Sequence, residues 1–237
     1  QTCALPISAG GLIVASYGAG AGYFVDCITF LFSLALLWRV KSVPPLSIST
    51  APSFQSLMEG VRYAYSRKDL LGTYFVDLAA MFLAMPMALF PFWADKIGAP
   101  WALGFFYSSI TAGAVIVTLL SGWMRNYPRH GRAVVFGALG WGVAIIAAGS
   151  TDSLPVVLAS LVIAGAFDQV SALFRGFIWN QSIPDELRGR LAGIEMLSYL
   201  LGPLGGQARA GGMAAMTSLR TSIVGGGALC EIGRAHV

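Results

Sequence analysis

Leu154-Pro-Val-Val-Leu-Ala-Ser-Leu-Val-Ile-Ala-Gly-Ala-Phe-Asp-Gln-Val-Ser-Ala-Leu-Phe174 is apolar throughout except at Ser160, Asp168, Gln169 and Ser171. It runs for about 20 residues, the length at which an α-helix crosses the ~30 Å hydrocarbon core of a bilayer. Because the run is continuous and does not alternate, it reads as a helix and not as a barrel strand. Tyr23 to Trp38, Leu70 to Trp93, Leu103 to Met124, Ala133 to Ala148 and Leu191 to about Gly205 read the same way. Ser8 to Ala15 resembles the tail of an earlier span, and Thr221 to Cys230 the start of a later one. The expected fold is all-α, a polytopic transmembrane helix bundle.

Composition agrees. Of 237 residues, 56% are hydrophobic and 11% charged, where a soluble domain carries about 25% charged residues. That excludes most water-soluble enzymes and nucleic-acid binders. The net charge of +4 therefore matters through its placement along the chain. Arg39, Lys41, Arg62, Arg67 and Lys68 lie in the first joint, Arg125, Arg129 and Arg132 in the third, and Arg188 and Arg190 in the fifth. The joints between them hold only Lys96 in the second, none in the fourth, and Arg209 and Arg220 after Gly205 in the sixth. The rich set is assigned to the cytoplasm, and this regular alternation supports the number of spans.

Three further features bear on organisation. Gln1–Ile7 can be encoded by a DNA string whose reverse complement, read one base out of frame, encodes Ile232–Val237. Residues 1–7 and 231–237 are therefore expected to be adapter-derived and are set aside from fold reasoning. The remainder divides into 8–38, the end of one helical half; 39–69, a central cytoplasmic loop; and 70–230, an incomplete second half. Within the loop, beyond Pro44, Pro45 and Pro52, the residues Phe54, Leu57, Met58, Val61 and Tyr65 recur at helical spacing. They predict a short amphipathic helix, lying at the interface or serving as a solvated linker.

Ionisable residues within spans are the candidate site, since each costs roughly 2.5 to 3.5 kcal/mol at a helix centre and must face protein or water. They are Asp26, Asp77, Asp168, Arg175 and Glu195. Asp168 and Arg175 are two turns apart and share a helix face. Burial favours the neutral form of a carboxyl group, which suits Asp77, Asp168 and Glu195 to taking up and releasing a proton. The plainer alternative is that they bond to neighbouring helices and hold the bundle together. Asp26, at the start of a span, and Arg175, placed to snorkel toward the cytoplasmic end, lean toward that alternative.

Pro86 and Pro91 predict a kink in the second full span, either a moving gate or a static bend. Gly104, Gly113, Gly137, Gly140 and Gly165 allow close helix approach. The chain has no P-loop, no HExxH and no Cys/His cluster, and once the ends are set aside His130 is the only histidine. An enzyme is not expected, and neither is a bound cofactor.

The sequence resembles the enterobactin-exporter and macrolide-efflux branch of the major facilitator superfamily. The likeness rests on Asp26 with Phe30, on Leu71-Gly-Thr-Tyr-Phe-Val-Asp77, on Met85-Pro86 with Ala88-Leu-Phe-Pro91, and on Pro184-Asp-Glu-Leu-Arg-Gly-Arg190 with Gly193. Such proteins have twelve helices in two halves that rock around a central cavity. The resemblance implies that this chain runs from the end of helix 5 to the start of helix 12. Arg129, Gly131 and Arg132 match the superfamily's arginine-glycine-arginine loop, although Pro128 stands where that loop has aspartate and Gly122 lies two residues too early. Together with Arg188, Gly189 and Arg190 they are expected to set topology or gate movement. The implied function is proton-coupled export of an amphipathic small molecule, a drug or siderophore, by a monomer in the bacterial inner membrane. Asp77, Asp168, Glu195 and Arg175 are expected to contact proton or substrate, and Met81, Phe105 and Tyr107 to line the cavity. Lipid and small-molecule substrate are the expected partners, and nucleic acid is not. The rival reading is a non-transporting polytopic sensor or scaffold.

Overall fold

The computed structural model describes Tyr17 and residues 19–40 and 54–234, which fall into two compact units divided after Ala51. Expectations resting on residues 1–15, Lys41, Pro44, Pro45, Pro52 and residues 235–237 lie outside the described residues. So do the side chains of Asp69, Asp185, Glu186 and Arg190. In the first unit, α1 (Ala19–Leu37) is one apolar helix whose described side chains are all exposed from Tyr23 onward. Asp26 is exposed on it, and its backbone carbonyl accepts a hydrogen bond from the Thr29 hydroxyl at 2.8 Å.

The second unit is a helical bundle. It contains α2 (Phe54–Ser66), α3 (Lys68–Ala84), α4 (Phe90–Lys96), α5 (Leu103–Leu119), α6 (His130–Gly149), α7 (Leu154–Ser182), α8 (Asp185–Met216) and α9 (Leu219–Arg234). Helix α7 packs along α5 and α6, α8 packs along α3, and α9 closes against α3, α6 and α8. The core they enclose includes the fully buried Phe90, Phe106, Phe174, Ile145 and Leu161.

Helix ends fall where local chemistry puts them. Pro155 occupies the first turn of α7, where its missing N–H costs nothing, and Pro184 in an extended conformation precedes α8. After α4 the chain turns at Gly98, the only positive-φ residue among the described residues, at φ 76°. That conformation is open to glycine without strain.

Among the described residues, five stretches are long and apolar enough to cross a membrane: Gly20–Leu37, Leu70–Lys96, Pro100–Leu119, His130–Gly149 and Leu154–Ser182. The chain is a multi-pass membrane protein. The sixth predicted span differs from expectation. Leu191 to Gly205 is the middle of α8, a helix of 32 residues that carries Pro203 within it and continues to Met216. Its apolar character is diluted by Glu195, Gln207 and its glycines. Arg209 accordingly lies in a helix, and the sixth joint shrinks to Thr217 and Ser218.

The first, third and fifth joints meet at one end of the bundle, and the fourth and sixth meet elsewhere. At one end the Tyr63 hydroxyl of α2 donates to the Ser182 carbonyl at 2.6 Å, and Gly131 shares a cleft with Ser182. At the other, Arg220 in the first turn of α9 pairs with Asp152 in the α6–α7 joint at 2.6 Å. The amphipathic helix is present as α2. Its buried contact is Ala64, packed with Leu70, Ile183 and Leu191, while Met58 and Tyr65 of the predicted stripe are exposed.

The second full span is interrupted rather than kinked. Helix α3 stops at Ala84, Met85 is extended (φ −88°, ψ 105°), Met87–Leu89 form a single 3-10 turn, and α4 restarts with Pro91 in its first turn. The reason is steric. A proline disfavours helical geometry in the residue before it, so Pro86 forces Met85 out of the helix, while Pro91 is well suited to begin a new one.

Candidate functional site

Three helices bring the predicted intramembrane charges together. Asp77 on α3, 6% exposed, forms a salt bridge through Oδ1 with Arg175 Nη1 on α7, whose side chain is 10% exposed. The Arg175 guanidinium carbon lies 6.0 Å from the centroid of the Tyr199 ring on α8, within cation–π range. The Tyr199 hydroxyl donates to Glu195 Oε1 at 2.9 Å. Asp168, on the same face of α7 as Arg175, is half-buried and within electrostatic reach of both Arg175 and Asp77. The result is a polar chain, Asp77–Arg175–Tyr199–Glu195, with Asp168 beside it.

Two features of this chain bear on chemistry. It holds three carboxylates against one guanidinium, so its formal charge is negative. It also contains buried donors without a protein partner: Arg175 Nε, and Nε2 of Gln169, which adjoins Asp168. An unsatisfied polar group at membrane depth costs several kcal/mol, so irregular polarity of this kind belongs where water or a ligand can enter.

Arg175 differs from the snorkelling expectation. It sits two turns inside α7, which extends to Ser182, and it turns inward to Asp77. Tyr199 was not singled out by sequence reasoning, although its position four residues after Glu195 places the two side chains on one helix face and could have marked it. Asp26 lies in the other unit, outside this group.

The predicted gating residues occupy helix ends. Arg188 in α8 donates to the Asn180 carbonyl in the last turn of α7 at 3.3 Å, a cation at the negative end of a helix. Arg129 precedes α6, and Arg132 lies in its first turn; both are exposed. Gly131 and Gly189 face open space, so neither is required by a close contact. The His130 ring packs 5.6 Å from that of Phe174 and 5.8 Å from that of Phe177.

The residues expected to line one apolar cavity are dispersed. Phe105 is 51% exposed and meets the Trp101 ring edge-to-face. Tyr107 packs on Phe90 at 5.1 Å, and Met81 lies against Gly202 and Gly206 of α8. An open cleft of about 260 Å³ between α2, α3 and α8 is lined by Tyr74, Phe75, Leu78 and Leu197, among others. A second, of about 310 Å³, lies between α3, α6 and α7. Neither contains Met81, Phe105 or Tyr107.

No family model matches the chain. Its similarity to individual proteins is nonetheless extensive. It is 28% identical over 205 residues, 83% of this chain, to the multidrug efflux pump Tap of Mycolicibacterium fortuitum. It is 27% identical over 226 residues, 94% of this chain, to the enterobactin exporter EntS of Shigella flexneri, and 28% identical over 229 residues to EntS of Escherichia coli O1:K1. The chain is thus similar over most of its length to proteins that export small molecules. It spans about half the length of the curated relatives it matches, 50% of Tap and 54% of EntS.

Proposed function

We propose that the whole protein is an exporter of the bacterial inner membrane that moves a small amphipathic molecule, a drug or a siderophore, by alternating access in exchange for protons. It works as a monomer without a bound cofactor, and the proton gradient supplies the energy. The observation that carries this reading is the Asp77–Arg175–Tyr199–Glu195 chain with Asp168 beside it, which concentrates surplus negative charge across three helices of an otherwise apolar bundle. Buried ionisable groups that exceed their own pairing mark ion or substrate paths in membrane proteins. Asp77, Asp168 and Glu195 would exchange protons, and Arg175 would hold an anionic or hydroxylated part of the cargo or release Asp77 when a proton arrives. The exporter relatives support the direction of transport.

The test uses the full-length protein in inside-out vesicles, given an amphipathic dye or a siderophore. Accumulation that follows an imposed pH gradient and collapses with a protonophore is the expected result. A protein that moves none of these probes, yet binds a partner through the Arg39 to Asp69 loop, would instead support a sensor or scaffold.

A further inference from the structure

The interruption of the second span creates a hydrogen-bonding problem, and a residue outside the charge cluster resolves it. In a continuous helix the Phe82 carbonyl would accept from the N–H of residue 86, and the Met87 carbonyl from that of residue 91. Both positions are proline and have no N–H to give. The Met87 carbonyl instead accepts from the Phe90 N–H within the 3-10 turn, and a side chain from another helix also reaches each carbonyl. Arg209 Nε of α8 donates to the Phe82 carbonyl at 3.0 Å, and the Tyr107 hydroxyl of α5 donates to the Met87 carbonyl at 3.3 Å. Space for the guanidinium is built in. A Cβ at Gly226 of α9 would lie 2.7 Å from Arg209 Nη2, and one at Gly206 would lie 2.2 Å from the Met81 carbonyl. Arg209 Nη1 also contacts Met213 Sδ at 3.5 Å, which fixes the side chain along its own helix.

We infer that Arg209 is a positioning residue which closes the joint at Met85 to Leu89, and that Arg209 and Pro86 form one unit. The 3-10 turn itself packs on α8, and the two ends of the joint have different side-chain ties. The end of α3 is tied to α8 through Arg209, while the far side is tied to α5 through Tyr107 and through Phe90 packed on Phe106. Helix α4 can then move with α5 while α3 stays with α8. The inference rests on the proposed transport only for the purpose of that movement; the hydrogen-bond pairing stands apart from it.

The test is a double-mutant comparison in the full-length protein, read by amide hydrogen exchange over residues 81–90. A hydrogen bond from a charged donor to a carbonyl that has lost its backbone donor contributes enough that Arg209→Gln should speed exchange there roughly tenfold or more. Pro86→Ala returns an N–H that can bond the Phe82 carbonyl, so in that background Arg209→Gln should change exchange little. Equal acceleration in both backgrounds would overturn the inference. Should Arg209→Gln prevent folding, the same comparison is read as folded yield: recovery by Pro86→Ala supports the pairing, and no recovery refutes it. Because exchange is measured without cargo, a protein that transports nothing would count against the proposed function and leave this result readable.

Discussion

Replacing Arg175 by methionine in the full-length protein should destabilise it by about 3–5 kcal/mol, the cost of leaving one partner of a buried ion pair alone. Asp77 is 6% exposed and Arg175 10%, so solvent does little to replace the missing guanidinium. The effect should be asymmetric. Asp77→Asn should cost less, because Arg175 retains Asp168 within electrostatic reach. Combining Arg175→Met with Asp77→Leu should recover much of the lost stability, since replacing both partners of a buried pair by apolar groups is often close to neutral. Thermal unfolding in detergent reads all three. If Arg175→Met proves no worse than Asp77→Asn, the pair is not what ties α3 to α7.

The second large effect concerns the crossing of α5 and α7. An added Cβ at Gly165 would lie 1.8 Å from the Ile110 carbonyl oxygen, and one at Gly113 would lie 1.9 Å from that of Val162. Both clashes are with backbone, so no change of rotamer relieves them and the helices must separate. Gly165→Ala should therefore cost at least the upper part of the ~1–3 kcal/mol typical of overpacking. Gly104→Ala is the control, because a Cβ there meets nothing within 4 Å. Equal stability of the two variants would mean that the close crossing does not exist.

These glycines show what kind of information the sequence carries. Gly113, Gly137, Gly140 and Gly165 were legible as packing residues because small side chains within apolar runs permit close approach, yet Gly104 in the same setting faces open space. Spacing alone does not reveal which glycine meets a neighbour. At Gly205 and Gly206 the same ambiguity worked in the opposite direction. They looked like the end of a span, but they lie within α8, pressed against Phe82 and Met81. Their role in close contact, rather than in a turn, carries the helix past Arg209.

The site was legible to the extent that desolvation cost governs it. Asp77, Asp168, Arg175 and Glu195 were distinguished because a charge within an apolar run demands a partner, and three helices supply those partners to one another. The particular pairing of Asp77 with Arg175, the bridging by Tyr199 and the reach of Arg209 to the Phe82 carbonyl were not legible. Each joins residues on different helices, and hydropathy records only which positions are apolar. Pro86 and Pro91 announced missing donors; which side chains replaced them depended on how α5 and α8 pack around the break.

The central claim is that the three carboxylates of this cluster couple proton movement to export. It is tested most directly by reconstituting the full-length protein in proteoliposomes and comparing it with a variant carrying Asp77→Asn, Asp168→Asn and Glu195→Gln. Substrate-dependent proton flux across an imposed pH gradient is the measurement. Flux is expected in the unmodified protein and none in the folded variant, whose cargo movement should no longer respond to the gradient. Undiminished coupling in that variant would contradict it.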